Sequence, residues 1–267
     1  MAYQLGVHPI LNKLDGNRGY KLTGNKKARI FISKNGGASK TTFETSPTMV
    51  NNRNNASEFA GACIQGKGIY NKILTYLTLK HGHFLQRLNK AAIQIIKQGT
   101  GPAGQRTWDL SNNTNWFMNM FVNDFPFYNA LNFKGSVTRT IYSTVTLWSY
   151  GSISRNDIFA PGGAQFYRLG LITLIKSDAM YDPTSKVYVP DAPSHDLVLG
   201  TFGVSAWNTL NFTVPYTIGC ASVLGIAPTL PTDTVIAICC IQFAKLVNGV
   251  YTIMTGKQAS QIKYVGH

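Results

Sequence analysis

Acidic side chains are scarce: 11 Asp and Glu stand against 25 Lys and Arg in 267 residues, and charged residues of both signs make up only 13%. A globular chain ordinarily carries about 25% charged residues, so the polar surface here has to be built from Asn, Thr, Ser, Gln and Gly. Such a surface repels its own copies through little but net charge and is compatible with close subunit packing. Cysteine is also sparse. Cys63, Cys220, Cys239 and Cys240 form no C-x-x-C pair; the adjacent Cys239 and Cys240 lie in an apolar run and read as small buried hydrophobes, a usage that fits a reducing compartment.

Long apolar runs are missing too. The longest, TVIAICCIQFA from Thr234, is too short to span a bilayer, and the opening MAYQLGVHPILNKLDG lacks the charged region and apolar run of a secretory signal. These features predict cytoplasmic synthesis without a membrane span, for a product that can end in a released particle or filament. Catalytic fingerprints are equally absent. There is no G-x-x-x-x-G-K-[ST] spacing, no Gly-rich turn joining a strand to a helix and no G-x-S-x-G elbow. Zinc-finger spacing, a basic region with heptads and an RNP signature are lacking as well. His81 and His83 flank a glycine, but no nearby Cys or acid completes a metal site. His195 and Asp196 stand in PDAPSHD, which reads as a surface loop. No base, nucleophile and orienting acid can be named together. The expectation is a non-enzyme with no catalytic residue, no cofactor and no metal.

What is present is positive charge, unevenly placed. The net charge is +14. Residues 1–110 hold 16 basic and 4 acidic side chains, net +12, whereas residues 111–267 hold 9 and 7, net +2. The stretch 16–40, GNRGYKLTGNKKARIFISKNGGASK, has no acidic residue at all. Its glycines at 16, 19, 24 and 36 predict a segment folded back on itself, with Ile30 and Ile32 on one face. Arg18, Lys21, Lys26, Lys27, Arg29 and Lys34 are then the candidate binding residues. Their partner is a polyanion, such as nucleic acid, or the acidic loops of a neighbouring subunit, with Asp178, Asp182, Asp191 and Asp196 as acceptors.

The periodicity predicts an α+β chain: N-terminal β-hairpins and two helices, followed by an antiparallel β-sandwich. The boundary expected from the change of period separates a basic region 1–110 from a sandwich domain 111–267. Asn55 with Glu58 reads as an Asn version of a capping box, with Pro47 upstream. Phe59, Ala62, Cys63, Tyr70, Ile73, Leu74 and Leu77 then recur near helical spacing. Gly66 and Gly68 predict a bend or a close backbone contact in this helix. The second helix turns Leu85, Leu88, Ala92, Ile95 and Ile96 inward and stops at Gly99. Beyond GTGPAGQ, short β-type runs begin at Val137, Phe166, Lys186, Asn208, Val235 and Gly249, and Asn248-Gly249 between two of them is a hairpin signal.

NNRNNASEFAGACIQGKGIYNKIL and LQRLNKAAIQIIKQGTGPAGQR place Arg53, Glu58, Phe59, Gly61, Gly66, Lys67, Gly68, Leu88, Ile95, Gly104 and Arg106 in a distinctive order. They follow an Arg-x-x-x-x-Glu-Phe-x-x-Ala start, a Gly-Lys-x-Gly-Lys style helix and a Gly-x-Arg exit. IFAPGGAQFYRL and CIQFAKLVNGVYTIM add Ala-Pro-x-Gly-Ala-x-x-Phe and Val-Asn-Gly motifs. On these motifs the chain resembles a widespread, uncharacterised family of Bacteroidota proteins. The resemblance implies a bacterial or phage-associated cytoplasmic product, a basic helical part followed by a β-rich part, and no assigned activity. Together the readings predict a homo-oligomeric structural protein that assembles into a filament, tube or shell; the alternative is a nucleic-acid-binding protein without sequence preference.

Overall fold

A computed structural model describes the backbone of four short strands in the first 37 residues and, beyond them, residues 38–77, 83–123 and 125–267. The chain forms two compact units, Met1–Arg53 and Asn54–His267. The division therefore falls within a helix and not at residue 110, because both long helices share a buried core with the strands that follow.

In the first unit, β1 (Ala2–Gln4), β2 (Asn12–Leu14), β3 (Asn17–Lys21) and β4 (Ile30–Lys34) pair antiparallel in the order β1-β4-β3-β2. Gly19 is not at a turn but sits within β3, paired with Asn12 and Ile32, and the turns expected at Gly16, Gly24 and Gly36 lie outside the described residues. Helix α1 (Lys40–Thr45) starts where the Ser39 hydroxyl accepts the Thr42 N–H, and its end is fastened by Arg53, which donates to the carbonyls of Phe43 and Ser46 at 2.7 and 2.9 Å.

Helix α2 (Val50–Ile73) begins earlier than the Asn55 signal, and Glu58 is not a cap. It is buried on the inner stripe with Gly61, Ala62, Gln65, Gly66, Ile69 and Ile73, while Phe59 points outward at 57% exposure. The reason is spatial: a Cβ on Gly61 would stand 2.1 Å from the Tyr188 ring, and one on Gly66 would stand 2.4 Å from Asn89 Oδ1. The two glycines thus let the helix lie close against its neighbours, and the expected contact at Gly66 is real. Helix α3 (His83–Gln98) buries Phe84, Leu88, Ala91, Ala92, Ile95 and Ile96, an i, i+3, i+4 stripe.

The described residues between 99 and 135 form turns, two single-turn 3-10 helices and isolated bridges, and the chain beyond them is mainly antiparallel sheet. A three-stranded sheet consists of β5 (Ser136–Arg139), β6 (Val145–Ile153) and β13 (Tyr216–Val223), with β6 central. The largest sheet centres on β7 (Phe166–Ser177) and β14 (Asp233–Val247), paired from Asp233↔Ser177 to Ala244↔Phe166. Short strands β10 (Val198–Leu199), β11 (Gly203–Val204) and β12 (Asn208–Thr209) flank β7, and β15 (Val250–Ile253) and β16 (Ala259–Gly266) flank β14. A separate hairpin joins β8 (Ala179–Asp182) to β9 (Val187–Pro190).

The β7–β14 pair is covered on both faces. Ile172, Leu174, Ile236, Ile238 and Cys240 share one buried cluster with Ile69, Leu88 and Ile95 of the helices. Leu169, Leu171, Cys239, Ile241 and Phe243 share another with Trp148, Tyr150 and Cys220 of the three-stranded sheet. Burial on both sides is why VIAICCIQFA is continuously apolar instead of alternating, and Cys239 and Cys240 are fully buried as small apolar side chains. At the end of β14 the chain turns on Asn248 and Gly249, at φ +50° and +79°, the left-handed pair that a two-residue hairpin turn requires.

Candidate functional site

Of the six basic residues picked out above, Arg18 and Lys21 fall in β3 and Lys34 in β4, where Arg18 pairs with Lys13 on one side and Ser33 on the other. Two cationic residues therefore occupy directly opposed register positions. Lys26, Lys27 and Arg29 lie outside the described residues.

The four acidic acceptors proposed for a neighbouring subunit are mostly engaged within the chain. Asp178 is buried and accepts the N–H groups of Leu110 and Ser111 at 2.7 and 3.0 Å and the Ser111 hydroxyl at 2.5 Å. Burial pushes its carboxyl above the usual range despite those bonds. Asp196 is bound to Lys176 Nζ at 2.5 Å and also accepts the Ser177 N–H. Asp182 closes its own hairpin turn by accepting the Thr184 and Ser185 N–H groups and the Ser185 hydroxyl, a bond that holds its pKa down. Asp191 is left exposed.

PDAPSHD is consequently not a free surface loop. His195 Nδ1 lies 2.7 Å from Asp233 Oδ2, and the next residue reaches the fully buried Lys176. Burial lowers the Lys176 pKa, and Asp196 opposes that shift. Nothing local in the sequence announces these pairs, because the partners are 20 and 38 residues apart. One signal was available: Lys176 continues the Ile172, Leu174 alternation and so had to point inward.

A second buried polar centre joins three positions of the family resemblance. Glu58 Oε1 accepts the Gly104 N–H at 2.8 Å and lies 3.3 Å from Arg106 Nη1. The adjacent Ser57 hydroxyl donates to the Gly104 carbonyl at 2.9 Å. Gly104 itself is at φ +89°, and a Cβ there would meet the Asn54 backbone at 2.9 Å. The arrangement clamps the loop after α3 onto α2. The Glu58 carboxylate is buried, while the Arg106 side chain is 29% exposed.

Among the described residues no group of three or more His, Cys, Asp or Glu side chains is arranged to hold a metal ion. His83 makes a local contact to Gln86 at 3.3 Å, and His81 is outside the described residues. No described helix is long and apolar enough to cross a membrane.

Apolar side chains are presented outward in sets. On the outer face of the three-stranded sheet, Val145 pairs with Val223 and Leu147 with Ala221, with Leu147 49% exposed. On the β8–β9 hairpin, exposed Met180 pairs with exposed Val189. At the tip of the β14–β15 hairpin, Val247 pairs with Val250 and Leu246 with Tyr251, all four exposed. Isolated exposed apolar residues are ordinary; here they stand opposite one another in strand register.

No family model matches the chain, and no curated protein and no solved structure matches it.

Proposed function

We propose that this protein is a non-enzymatic structural subunit, made in the cytoplasm, that assembles with copies of itself into a filament, tube or shell. The observation that carries the reading is the outward apolar face of the three-stranded sheet, where Val145, Leu147, Ala221 and Val223 stand side by side on paired strands. β5 forms one border of that sheet, and a bordering strand offers unpaired backbone groups to another chain. A surface with only 13% charged residues in the chain lowers the cost of bringing copies together.

In this reading the two clustered faces of β7 and β14 make the Asn54–His267 unit a helix-backed β-sandwich. Arg18, Lys21, Lys26, Lys27, Arg29 and Lys34 of the first unit contact a polyanion or a neighbouring subunit. Because Asp178, Asp182 and Asp196 are committed internally, the polyanion is the better supported of the two. The Bacteroidota resemblance belongs to the same proposal, supported by the meeting of Glu58, Gly104 and Arg106.

A nucleic-acid-binding protein that does not assemble is the second reading, favoured by the net charge of +14. Size-exclusion chromatography with light scattering, read together with the ratio of absorbance at 260 and 280 nm, separates them. Assembly predicts masses several times 29.3 kDa in nuclease-treated protein; the second reading predicts a small species that carries nucleic acid.

A further inference from the structure

We propose that the groove running past Arg155 binds single-stranded nucleic acid, with Arg155 and Lys257 on phosphates and Phe159 against a base. The site lies wholly in the Asn54–His267 unit, goes beyond the assembly reading and does not depend on it.

Two clefts of about 690 and 720 Å³ adjoin at Arg155, which lines both. One contains Lys257, Phe125 and Phe159; the other contains Phe166, Gln165 and Asn211. A pair of clefts sharing one arginine suits an extended ligand better than a compact one. Arg155 is exposed but rooted, since its Nη1 donates to the Ile158 carbonyl at 2.7 Å. One of the five guanidinium donors is thus spent on orientation, and the others are available to a ligand.

No carboxylate lines either cleft among the described residues. The acid nearest Arg155 in sequence, Asp157, is buried and occupied by Lys134 at 2.6 Å and by the N–H and hydroxyl of Ser154. Two cations with no carboxylate partner among the described residues and a phenylalanine that is 50% exposed are the elements from which sequence-tolerant single-strand sites are made: cations follow the backbone and aromatic faces take bases.

Other cation–aromatic groupings in the unit lack this availability. Arg168 lies 4.4 Å over the Trp207 ring and donates to Gln242, while Trp207 is also stacked on Tyr251. Lys263 sits over Phe133 at 4.5 Å. These contacts are consumed in holding strands together.

The test is fluorescence anisotropy of a labelled oligothymidylate of about 20 nucleotides, a length covering the usual single-strand sites. The full-length chain carries Lys26→Gln, Lys27→Gln and Arg29→Gln to reduce the N-terminal contribution. Adding Arg155→Gln and Lys257→Gln is expected to weaken binding about tenfold near physiological salt and to lower the salt slope by roughly 1.4, about 0.7 per phosphate contact on a single strand. Phe159→Ala is expected to weaken binding by about fivefold or more with the slope unchanged, as loss of stacking requires. Should Arg155→Gln lower thermal stability through the Ile158 carbonyl, Lys257→Gln and Phe159→Ala alone decide the question. Unaltered affinity and slope in those variants, or a parent that does not bind the oligonucleotide, overturns the proposal. Light scattering of the same samples without nucleic acid reads assembly separately, so failure of one proposal is distinguishable from failure of the other.

Discussion

Lys176 Nζ lies 2.5 Å from Asp196 Oδ1, with the lysine fully buried and the aspartate 13% exposed. The pair fastens the loop after β9 to the end of β7. A charge-poor chain has placed this ion pair inside, where removing one partner matters far more than the pair's net worth.

The two single substitutions are therefore predicted to differ. Asp196→Asn strands a buried ammonium and is expected to cost about 3–5 kcal/mol in urea unfolding at neutral pH. Lys176→Met leaves a carboxylate that reaches water and is expected to cost less. A buried lysine with a lowered pKa binds fewer protons folded than unfolded, so stability rises with pH up to its unfolded value. The deficit of Asp196→Asn should accordingly shrink between neutral and alkaline pH. Equal deficits with no pH dependence would contradict this assignment.

Gly61→Ala and Gly68→Ala provide a matched pair on one helix. Either change favours helix by about 1 kcal/mol in isolation. At Gly61 the new Cβ meets the Tyr188 ring at 2.1 Å, whereas at Gly68 it meets only the end of Leu197 at 2.9 Å. Thermal unfolding should show Gly61→Ala net destabilised by about 1–3 kcal/mol and Gly68→Ala near neutral or stabilised.

Asp157 sets a prediction at acid pH. Burial pushes its carboxyl up, but the Lys134 ammonium and the Ser154 donors outweigh burial and hold the folded pKa below 3.8. A depressed aspartate contributes stability above its unfolded pKa and loses it as pH falls through the folded value. The melting-temperature gap between wild type and Asp157→Asn should thus be full at pH 6 and narrow progressively below about 4. A gap independent of pH would show that the ion pair is not its source.

If the N-terminal cations hold phosphates, Lys26→Gln, Lys27→Gln and Arg29→Gln together should weaken binding to all nucleic-acid sequences alike and reduce the salt slope by roughly 3. Loss confined to particular sequences would point to base reading instead.

Elements whose own residues carry the period were legible in the sequence. The α3 stripe, the doubly buried β14 run and the Asn248-Gly249 turn all appear where the pattern places them. Phe84 in place of Leu85 on the fully buried face is a shift of one position. Strand β13 is hidden because its inward positions include Ser222 while Ala221 and Val223 face out, and β16 because Lys263 and Gln261 make QIKYVG look solvated. On the first half of α2 the inward stripe is Glu58, Gly61, Ala62, Gln65 and Gly66, so the apolar pattern there points to the outward Phe59. Which distant residues meet is not legible locally, even at Lys176, whose alternation marks it as inward. Lys176 with Asp196, Glu58 with Arg106, and Arg155 beside Lys257 come together only through the sheet and its loops.

The most direct measurement is light scattering of the nuclease-treated wild type and of Leu147→Asp across a concentration series. Leu147 is half-exposed on the outer sheet face, so a charge there should leave folding intact while opposing subunit contact. The account predicts a wild-type mass that rises to several times 29.3 kDa and a Leu147→Asp variant that melts like wild type but remains smaller. A wild-type chain that stays at 29.3 kDa throughout, free of nucleic acid, would contradict it.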